Sequence, residues 1–105
     1  MKVIYVAGKY RARNEWELEM NLRHAEDVAI KLWAEGWAVI CPHKNMAHFG
    51  GAVGMDDNIW LEGDLELLSR CDAIYMMSGW TTSEGATAER NLAKELGLEI
   101  YYEGL

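Results

Sequence analysis

The stretch "KVIYVA" (residues 2–7) is a short run of β-branched and aromatic residues that stops at Gly8. Because its residues after Lys2 are all apolar and do not alternate with polar ones, it predicts a β-strand that is buried on both faces. Strands of this kind are typical of parallel sheets with helices on both sides. We therefore expect strands and helices to alternate along the rest of the chain.

The remaining sequence follows this alternation. Between Asn14 and Glu35 the apolar residues are spaced at i, i+3, i+4, i+7 and i+8, which predicts a helix that ends at Gly36. The residues with this spacing are Ala25, Val28, Ala29, Leu32 and Trp33. The predicted strands are 2–7, 37–41, 72–77 and 99–102, and the predicted helices are 14–35, 57–70 and 84–97. Residues 42–55 predict a long loop, and loops of that length are usually functional.

The order β-α-β-α-β-α-β predicts an α/β protein with a parallel sheet and right-handed crossovers. We expect a flavodoxin/Rossmann-like three-layer sandwich with four strands in the order 2-1-3-4 and helices on both faces. A length of 105 residues suits one domain, residues 1–105. Ligands bind such sheets beyond the carboxyl ends of the strands. The polar segments "GKYRAR", "PHKNMAHFGG" and "SGWTTSEG" follow the first three strands, so a site is expected there. In the last segment, Thr81 and Glu84 are spaced as a capping box.

Composition excludes several kinds of function. The formal net charge is −7, so the chain lacks the basic surface that a general nucleic-acid binder needs. The apolar run at the start of the sequence is too short for a signal peptide or a membrane span. The two cysteines, Cys41 and Cys71, lie within or beside apolar segments and are expected to be free thiols in a reducing cytoplasm.

Two acidic residues, Asp64 and Glu89, fall on the apolar stripes of predicted helices. The stripe residues are Trp60, Leu67, Leu68 and Cys71 for Asp64, and Leu92, Ala93 and Leu96 for Glu89. Either carboxylate could be satisfied by neighbouring amides or by Lys9 or Arg11, because a buried carboxylate needs a partner. Together at one cleft, two carboxylates suit chemistry at a sugar C1, where one attacks and the other handles the proton. Glu89 is expected to stay ionised near its helix N-terminus.

Several motifs resemble those of the nucleoside 2-deoxyribosyltransferases, most closely their 2′-deoxynucleoside 5′-monophosphate N-glycosidase branch. "IYVAGKYR" (4–11) is similar to the opening strand and loop of that branch, and "CPH" (41–43) places a histidine after the second strand. "GDLELLSRCDAI" (63–74) resembles its helix with an aspartate that leads into the third strand. "SEGATAE" (83–89) resembles the signature S-x-G-x-x-x-E. Small phage and bacterial relatives of unassigned function look similar.

The resemblance implies roles for nine residues. Glu89 would attack the anomeric carbon and form a glycosyl-enzyme, Asp64 would manage the base and the deoxyribose hydroxyl, and Tyr5 would assist near the nucleophile. The substrate-binding residues implied are Gly8, Lys9, Arg11, His43, Ser83 and Gly85, all but His43 as contacts to a 5′-phosphate. Classical transferases have an acidic residue where Ser83 stands, so Ser83 favours a monophosphate ligand.

The resemblance also implies partners. The substrate would be a small-molecule deoxynucleoside or deoxynucleotide, without a cofactor, and neither nucleic acid nor membrane is expected to bind. The family continues past the fourth strand with segments that reach into a neighbouring subunit's site. With five Trp and five Tyr to cover, we expect a homodimer or higher homo-oligomer.

Three alternatives compete with this function. A zinc site at Cys41, His43 and His48 is disfavoured, because their spacing matches no standard site. A receiver-like or flavodoxin-like signalling domain is disfavoured, because the third strand ends in "MMSG" without a phosphate-accepting aspartate. A nucleotide-binding module of the same fold, without turnover, stays open as the main alternative.

Overall fold

The computed structural model describes residues 1–47, 49 and 57–105. The strands are β1 (Val3–Ala7), β2 (Ala38–Ile40), β3 (Ala73–Met76) and β4 (Glu99–Tyr102), and the helices are α1 (Glu15–Ala34), α2 (Pro42–Asn45), α3 (Asp57–Ser69) and α4 (Glu84–Glu95). The seven predicted elements are confirmed to within two residues at each end. Of the helices in the described part of the chain, none is long and apolar enough to cross a membrane.

The four strands form one parallel sheet in the order β2-β1-β3-β4, which confirms the predicted order 2-1-3-4. β1 is a central strand, and its Tyr5 is in register with Ile40 of β2 and Ile74 of β3. Because all strands run in the same direction, their carboxyl ends meet at one edge. The loops after β1, β2 and β3 therefore start from the same edge of the sheet.

Alternate residues of β1 point to opposite faces of the sheet, and each face has its own core. The core under α1 consists of Ile4, Val6, Ala25, Val28, Leu32, Ala73 and Met77. The core under α3 and α4 consists of Tyr5, Ala7, Leu68, Cys71, Ile74, Met76, Ala86 and Ala93. Helices cover both faces, so the predicted three-layer sandwich is confirmed.

The prediction of a loop over residues 42–55 is wrong at its start. Residues 42–45 form the short helix α2, in which Pro42 is the first residue. Proline suits that position because its fixed φ is helical and its missing N–H would have no helical partner there. His48 and residues 50–55 of the predicted loop lie outside the described residues.

The start of α4 differs from the predicted capping box. Ser83, not Thr81, caps the helix: its Oγ accepts a hydrogen bond from the Ala86 N–H at 3.1 Å. Residues Trp80–Thr82 instead form a 3₁₀ turn. This turn follows Gly79, whose φ of +87° is a left-handed value that favours glycine.

Two residues that were expected on buried stripes are exposed. Trp33 is 54% exposed and Leu96 is 47% exposed. Trp33 lies about 80° around α1 from the fully buried Ala25, so it sits at the rim of the buried stripe. Leu96 follows the last residue of α4, where the chain leaves the helix face.

Candidate active site

A tyrosine and a glutamate are hydrogen-bonded inside the core under α3 and α4. Tyr5 is fully buried on the face of β1 that these helices cover. Its hydroxyl donates a hydrogen bond to Oε2 of Glu89 on α4. Glu89 is only 7% exposed, so it lies on the inner side of α4 as its spacing predicts. A buried carboxylate without a partner is costly, and Tyr5 provides one partner.

Asp64 on α3 is the third member of this group. It is half-buried, and burial raises its pKa to about 6. Burial is also the largest cause that raises the pKa of Glu89 and of Tyr5, and the charge of Asp64 raises both further. No hydrogen bond joins Asp64 to either residue among the described contacts, so the coupling between them is electrostatic.

Burial favours the protonated form of Glu89 in the unliganded protein. Burial raises its pKa to about 8, although the hydrogen bond from Tyr5 acts in the opposite direction. The prediction that Glu89 stays ionised is therefore wrong. Glu89 is the sixth residue of α4, whereas the helix dipole acts mainly within the first turn, so loss of water around the carboxylate outweighs the dipole.

The loop after β1 is held in place by side chains from two helices. The buried ring of His43 on α2 donates from Nε2 to the carbonyl of Lys9 at 3.0 Å, and Tyr10 contacts the same ring edge-on at 5.5 Å. Asn21 on α1 donates from Nδ2 to the carbonyls of Tyr10 at 3.1 Å and Arg11 at 3.4 Å. Three consecutive carbonyls of the loop therefore point to these two side chains.

Peptide planarity fixes where the amides of this loop point. Each N–H is directed away from the carbonyl of the preceding residue. The amides of Tyr10, Arg11 and Ala12 are therefore turned away from the side chains of Asn21 and His43. Successive amides on one side of a turn make a concavity that binds anions.

His43 and Gly8 have structural roles in this arrangement. Burial lowers the pKa of His43, which keeps the ring neutral and its Nε2–H committed to the Lys9 carbonyl. His43 thus lies behind the loop, holding it, where a substrate contact was predicted. A Cβ at Gly8 would lie 2.9 Å from Cβ of Met77 and 2.4 Å from its Cε, so close packing alone explains the glycine.

Ser83 and Gly85 lie at the start of α4. The Ser83 hydroxyl accepts from Ala86, and its own hydrogen can still donate to a ligand. A Cβ at Gly85 would meet only Ser83 Oγ, at 4.0 Å, so packing does not require this glycine. Both residues are at the positive end of the helix dipole.

Comparison with known protein families identifies the family of this chain. The family model described as "Domain of unknown function (DUF4406)" matches residues 2–102. The chain belongs to this family. A search of curated proteins found no match. Among solved structures, the 2-deoxyribosyltransferase from the psychrotolerant bacterium Bacillus psychrosaccharolyticus is similar, with a TM-score of 0.65 and 22% sequence identity over 95% of this chain and 70% of that chain. This similarity confirms the Rossmann-like fold.

The nine predicted site residues of this DUF4406 protein form three groups. The core group is Tyr5, Asp64 and Glu89; the loop group is Gly8, Lys9 and Arg11 with His43 behind it; and the cap group is Ser83 and Gly85. The side chains of Lys9 and Arg11 are exposed. The loop group and the cap group follow the carboxyl ends of β1 and β3, which are neighbours in the sheet.

Two surface grooves of this DUF4406 protein lie away from the core group. One, of about 500 Å³, lies between α1, β2 and α2, and the other, of about 370 Å³, lies beside the first turns of α4. Neither groove is lined by Tyr5, Asp64 or Glu89. The carboxylates are therefore not reached through either groove.

The cysteine and histidine considered for zinc do not converge. Cys41 Sγ faces the carbonyl of Ala25 at 3.9 Å, whereas His43 donates to Lys9. His48 lies outside the described residues. Within the part of the chain that the structure describes, no three metal-ligating side chains form a cluster.

Sequence reasoning missed Asn21, which orients two carbonyls of the loop. A signal was present in the sequence. Asn21 stands four residues before Ala25 and seven before Val28, so it falls on the buried stripe of α1. That is the same pattern that singled out Asp64 and Glu89, and a polar residue on such a stripe needs a partner.

Proposed function

We propose that this DUF4406 protein cleaves or exchanges the N-glycosidic bond of a 2′-deoxynucleoside or its 5′-monophosphate. The observation that carries the proposal is the buried carboxyl group of Glu89, hydrogen-bonded by Tyr5 and coupled to the charge of Asp64. Two carboxyl groups with different proton affinities suit cleavage at a sugar C1. The likeness in fold to a 2-deoxyribosyltransferase supports this class of reaction.

The chemistry divides between the two carboxyl groups. A carboxylate oxygen of Glu89 attacks C1′, the bond from C1′ to the base nitrogen breaks, and Asp64 gives its proton to the departing base. Water or a second base then attacks C1′, the ester to Glu89 breaks, and the proton of the attacking group passes to Asp64. The hydrogen bond from Tyr5 stabilises the Glu89 carboxylate as it leaves.

The coupled carboxyl groups share one proton near pH 7. Asp64, with a pKa of about 6, is then ionised, and Glu89, with a pKa of about 8, is protonated. Transfer of that proton from Glu89 to Asp64 gives the reactive form, with a nucleophile and an acid. Since the groups interact, the two titration steps belong to the pair and not to either residue alone.

A 5′-phosphate would bind between the loop after β1 and the start of α4. Lys9 and Arg11 supply positive charge, and Ser83 supplies a hydroxyl donor. From Ser83 to Glu89 the helix rises about 9 Å, and the Glu89 side chain leans back toward the N-terminus. In a bound 5′-monophosphate, the pentose would lie between this phosphate position and the Glu89 carboxyl group.

A nucleotide-binding module without turnover is the second candidate. It is favoured by the protonated state of Glu89 at neutral pH, because a neutral carboxyl group is a poor nucleophile. In that case the same loop and helix start would bind the nucleotide, and the bond to the base would stay intact.

An assay for free base separates the two candidates. The protein is incubated with the four deoxynucleoside monophosphates and the four deoxynucleosides, and released base is measured by chromatography. For the enzyme, Glu89→Gln abolishes release and retains binding. The matched control is Glu95→Gln, which makes the same change on the exposed side of α4. Binding without release in the wild type, unchanged by Glu89→Gln, identifies the module.

A further inference from the structure

The outer side of α1 presents apolar side chains that no other part of the described chain covers. Trp16 is 71% exposed, Ile30 is 60% exposed and Met20 is 37% exposed. With the exposed residues between and beyond them they form a face that we call the α1 stripe: Trp16, Met20, Arg23, Asp27, Ile30 and Ala34. At 3.6 residues per turn these six residues lie within an arc of about 80°, opposite the buried side of the helix.

The α1 stripes of two copies are complementary to each other when the two helices run antiparallel. When two copies of α1 pack antiparallel through their stripes, with a twofold axis at the level of Ala25 along the helix, Trp16 faces Ala34 and Met20 faces Ile30 of the other copy. Arg23 faces Asp27. A large side chain then meets a small one, apolar groups meet apolar groups, and opposite charges meet twice, as an isologous interface requires.

Within one chain these two charges do not pair with each other. Arg23 Nε is 3.2 Å from Glu19, an exposed contact along the helix that contributes little to stability. Among the described residues, no salt bridge includes Asp27. Both groups can therefore turn to a partner on the α1 stripe at little cost.

We propose that the α1 stripe is the interface of a homodimer, in which the second copy packs antiparallel. A helix of 20 residues is about 30 Å long. Ile30 and Trp33 also line the groove of about 500 Å³ beside α1, so the apolar surface continues past the stripe. One helix face with such a margin is at the low end of specific interfaces, and we expect a weak dimer with a micromolar Kd.

The charge of α1 argues against an anionic membrane as the occupant of this surface. The helix carries five acidic and two basic residues, so an anionic surface would repel it. α1 covers the face of the sheet opposite Tyr5 and Glu89, and the α1 stripe is on the outer side of this helix. This inference therefore does not depend on the proposed function.

Charge reversal tests the pairing. Sedimentation velocity from about 1 to 200 µM, which brackets a micromolar Kd, gives the dimer affinity of the wild type, R23D and D27R. Each variant places like charges opposite each other twice, and each should weaken the dimer at least tenfold. In a one-to-one mixture of R23D and D27R the heterodimer regains both opposite pairs, so its affinity should return to about that of the wild type.

Arg70→Asp is the matched control, because Arg70 is also exposed and pairs with Glu66 four residues earlier, at 3.0 Å, but lies off the stripe. It should leave the dimer unchanged. Circular dichroism establishes that the variants are folded, and Ile30→Asp, which removes an apolar contact, should also give monomers. A wild type that is monomeric at the highest concentration overturns the proposal. So does a dimer that R23D does not weaken, or a mixture no tighter than its components.

Discussion

The two faces of β1 are equally well buried but contain different chemistry. Ile4 and Val6 pack under α1 in a core that is entirely apolar, whereas Tyr5, between them in sequence, packs on the other face and binds the buried Glu89. Because side chains alternate along a strand, one strand supports both environments. The α1 face supplies stability that is independent of pH, and the other face holds an acid whose ionisation the fold opposes.

The α1 face should give the largest loss of stability when its packing is broken. Ile4 is fully buried among apolar side chains. We expect Ile4→Ala to lower the free energy of unfolding by about 3–4 kcal/mol, equally at pH 5 and pH 8. Urea unfolding at both pH values measures this. Ile59→Ala, at an exposed position of α3, is the matched control and should cost far less. A loss at Ile4 that depends on pH would contradict the comparison.

The contribution of the face under α3 and α4 to the free energy of unfolding should depend on pH. The folded pKa of Glu89 is about 8, above its ordinary value of 4.5. Between these values the folded state keeps a proton that the unfolded chain releases, so this contribution to stability is full below pH 4.5 and is lost as the pH rises to 8. Glutamine has no such proton and still accepts from Tyr5. Glu89→Gln should therefore raise the free energy of unfolding by about 2–4 kcal/mol at pH 8 and change it little at pH 5.

The control for this stability measurement is Glu95→Gln, on the exposed side of the same helix. It should change the free energy of unfolding by the same small amount at pH 5 and at pH 8. Greater stabilisation of Glu89→Gln at pH 5 than at pH 8 would show that the carboxylate is favoured in the folded state, contrary to its burial.

If the protein is an enzyme, the carboxyl groups of Asp64 and Glu89 should determine how kcat/KM depends on pH. Below about pH 6 both are protonated and the nucleophile is lost; above about pH 8 both are ionised and the acid is lost. We expect a bell-shaped profile of kcat/KM, with a maximum near pH 7 and limbs that fall about tenfold per pH unit. Asp64→Asn removes the acid. It should therefore abolish the fall of kcat/KM at high pH and lower the maximum of the profile. A flat profile from pH 5 to 9 would exclude the shared proton.

The smallest expected effect concerns the loop after β1. Asn21→Leu removes the donor to two loop carbonyls and should raise the KM for deoxynucleoside monophosphates about tenfold, equivalent to about 1.4 kcal/mol, with little change for the nucleosides. Arg11→Ala should have the same selectivity through loss of charge. Steady-state kinetics on both substrate classes measures this, with Asn91→Leu on the exposed side of α4 as control. Equal losses for both classes would count against a phosphate site at this loop.

Most of the fold could be predicted from hydrophobic spacing. The apolar run 2–7 predicted a strand buried on both faces, and the alternation of strands and helices predicted the sheet order that the structure has. The same spacing put Glu89 on the inner side of α4, because i+3 and i+4 neighbours share a helix face whatever the tertiary contacts are.

What could not be predicted depends on contacts between distant parts of the chain. The raised pKa of Glu89 follows from how completely the core surrounds it. Its helix position alone predicted a lowered pKa. The hydrogen bonds from Asn21 and His43 to the loop join residues 10 to 34 positions apart in sequence. The exposure of Trp33 follows from the width of the buried stripe, which local spacing does not fix.

The cap of α4 has a consequence for the phosphate site that we propose. Ser83 stabilises the helix through an oxygen that accepts the Ala86 N–H, and aspartate serves that purpose equally well. An exchange of one for the other would keep the helix intact while replacing a neutral donor with a negative charge at the same spot. Under the proposed function, this one substitution would exchange a phosphate contact for a charge that repels phosphate, without a loss of helix stability.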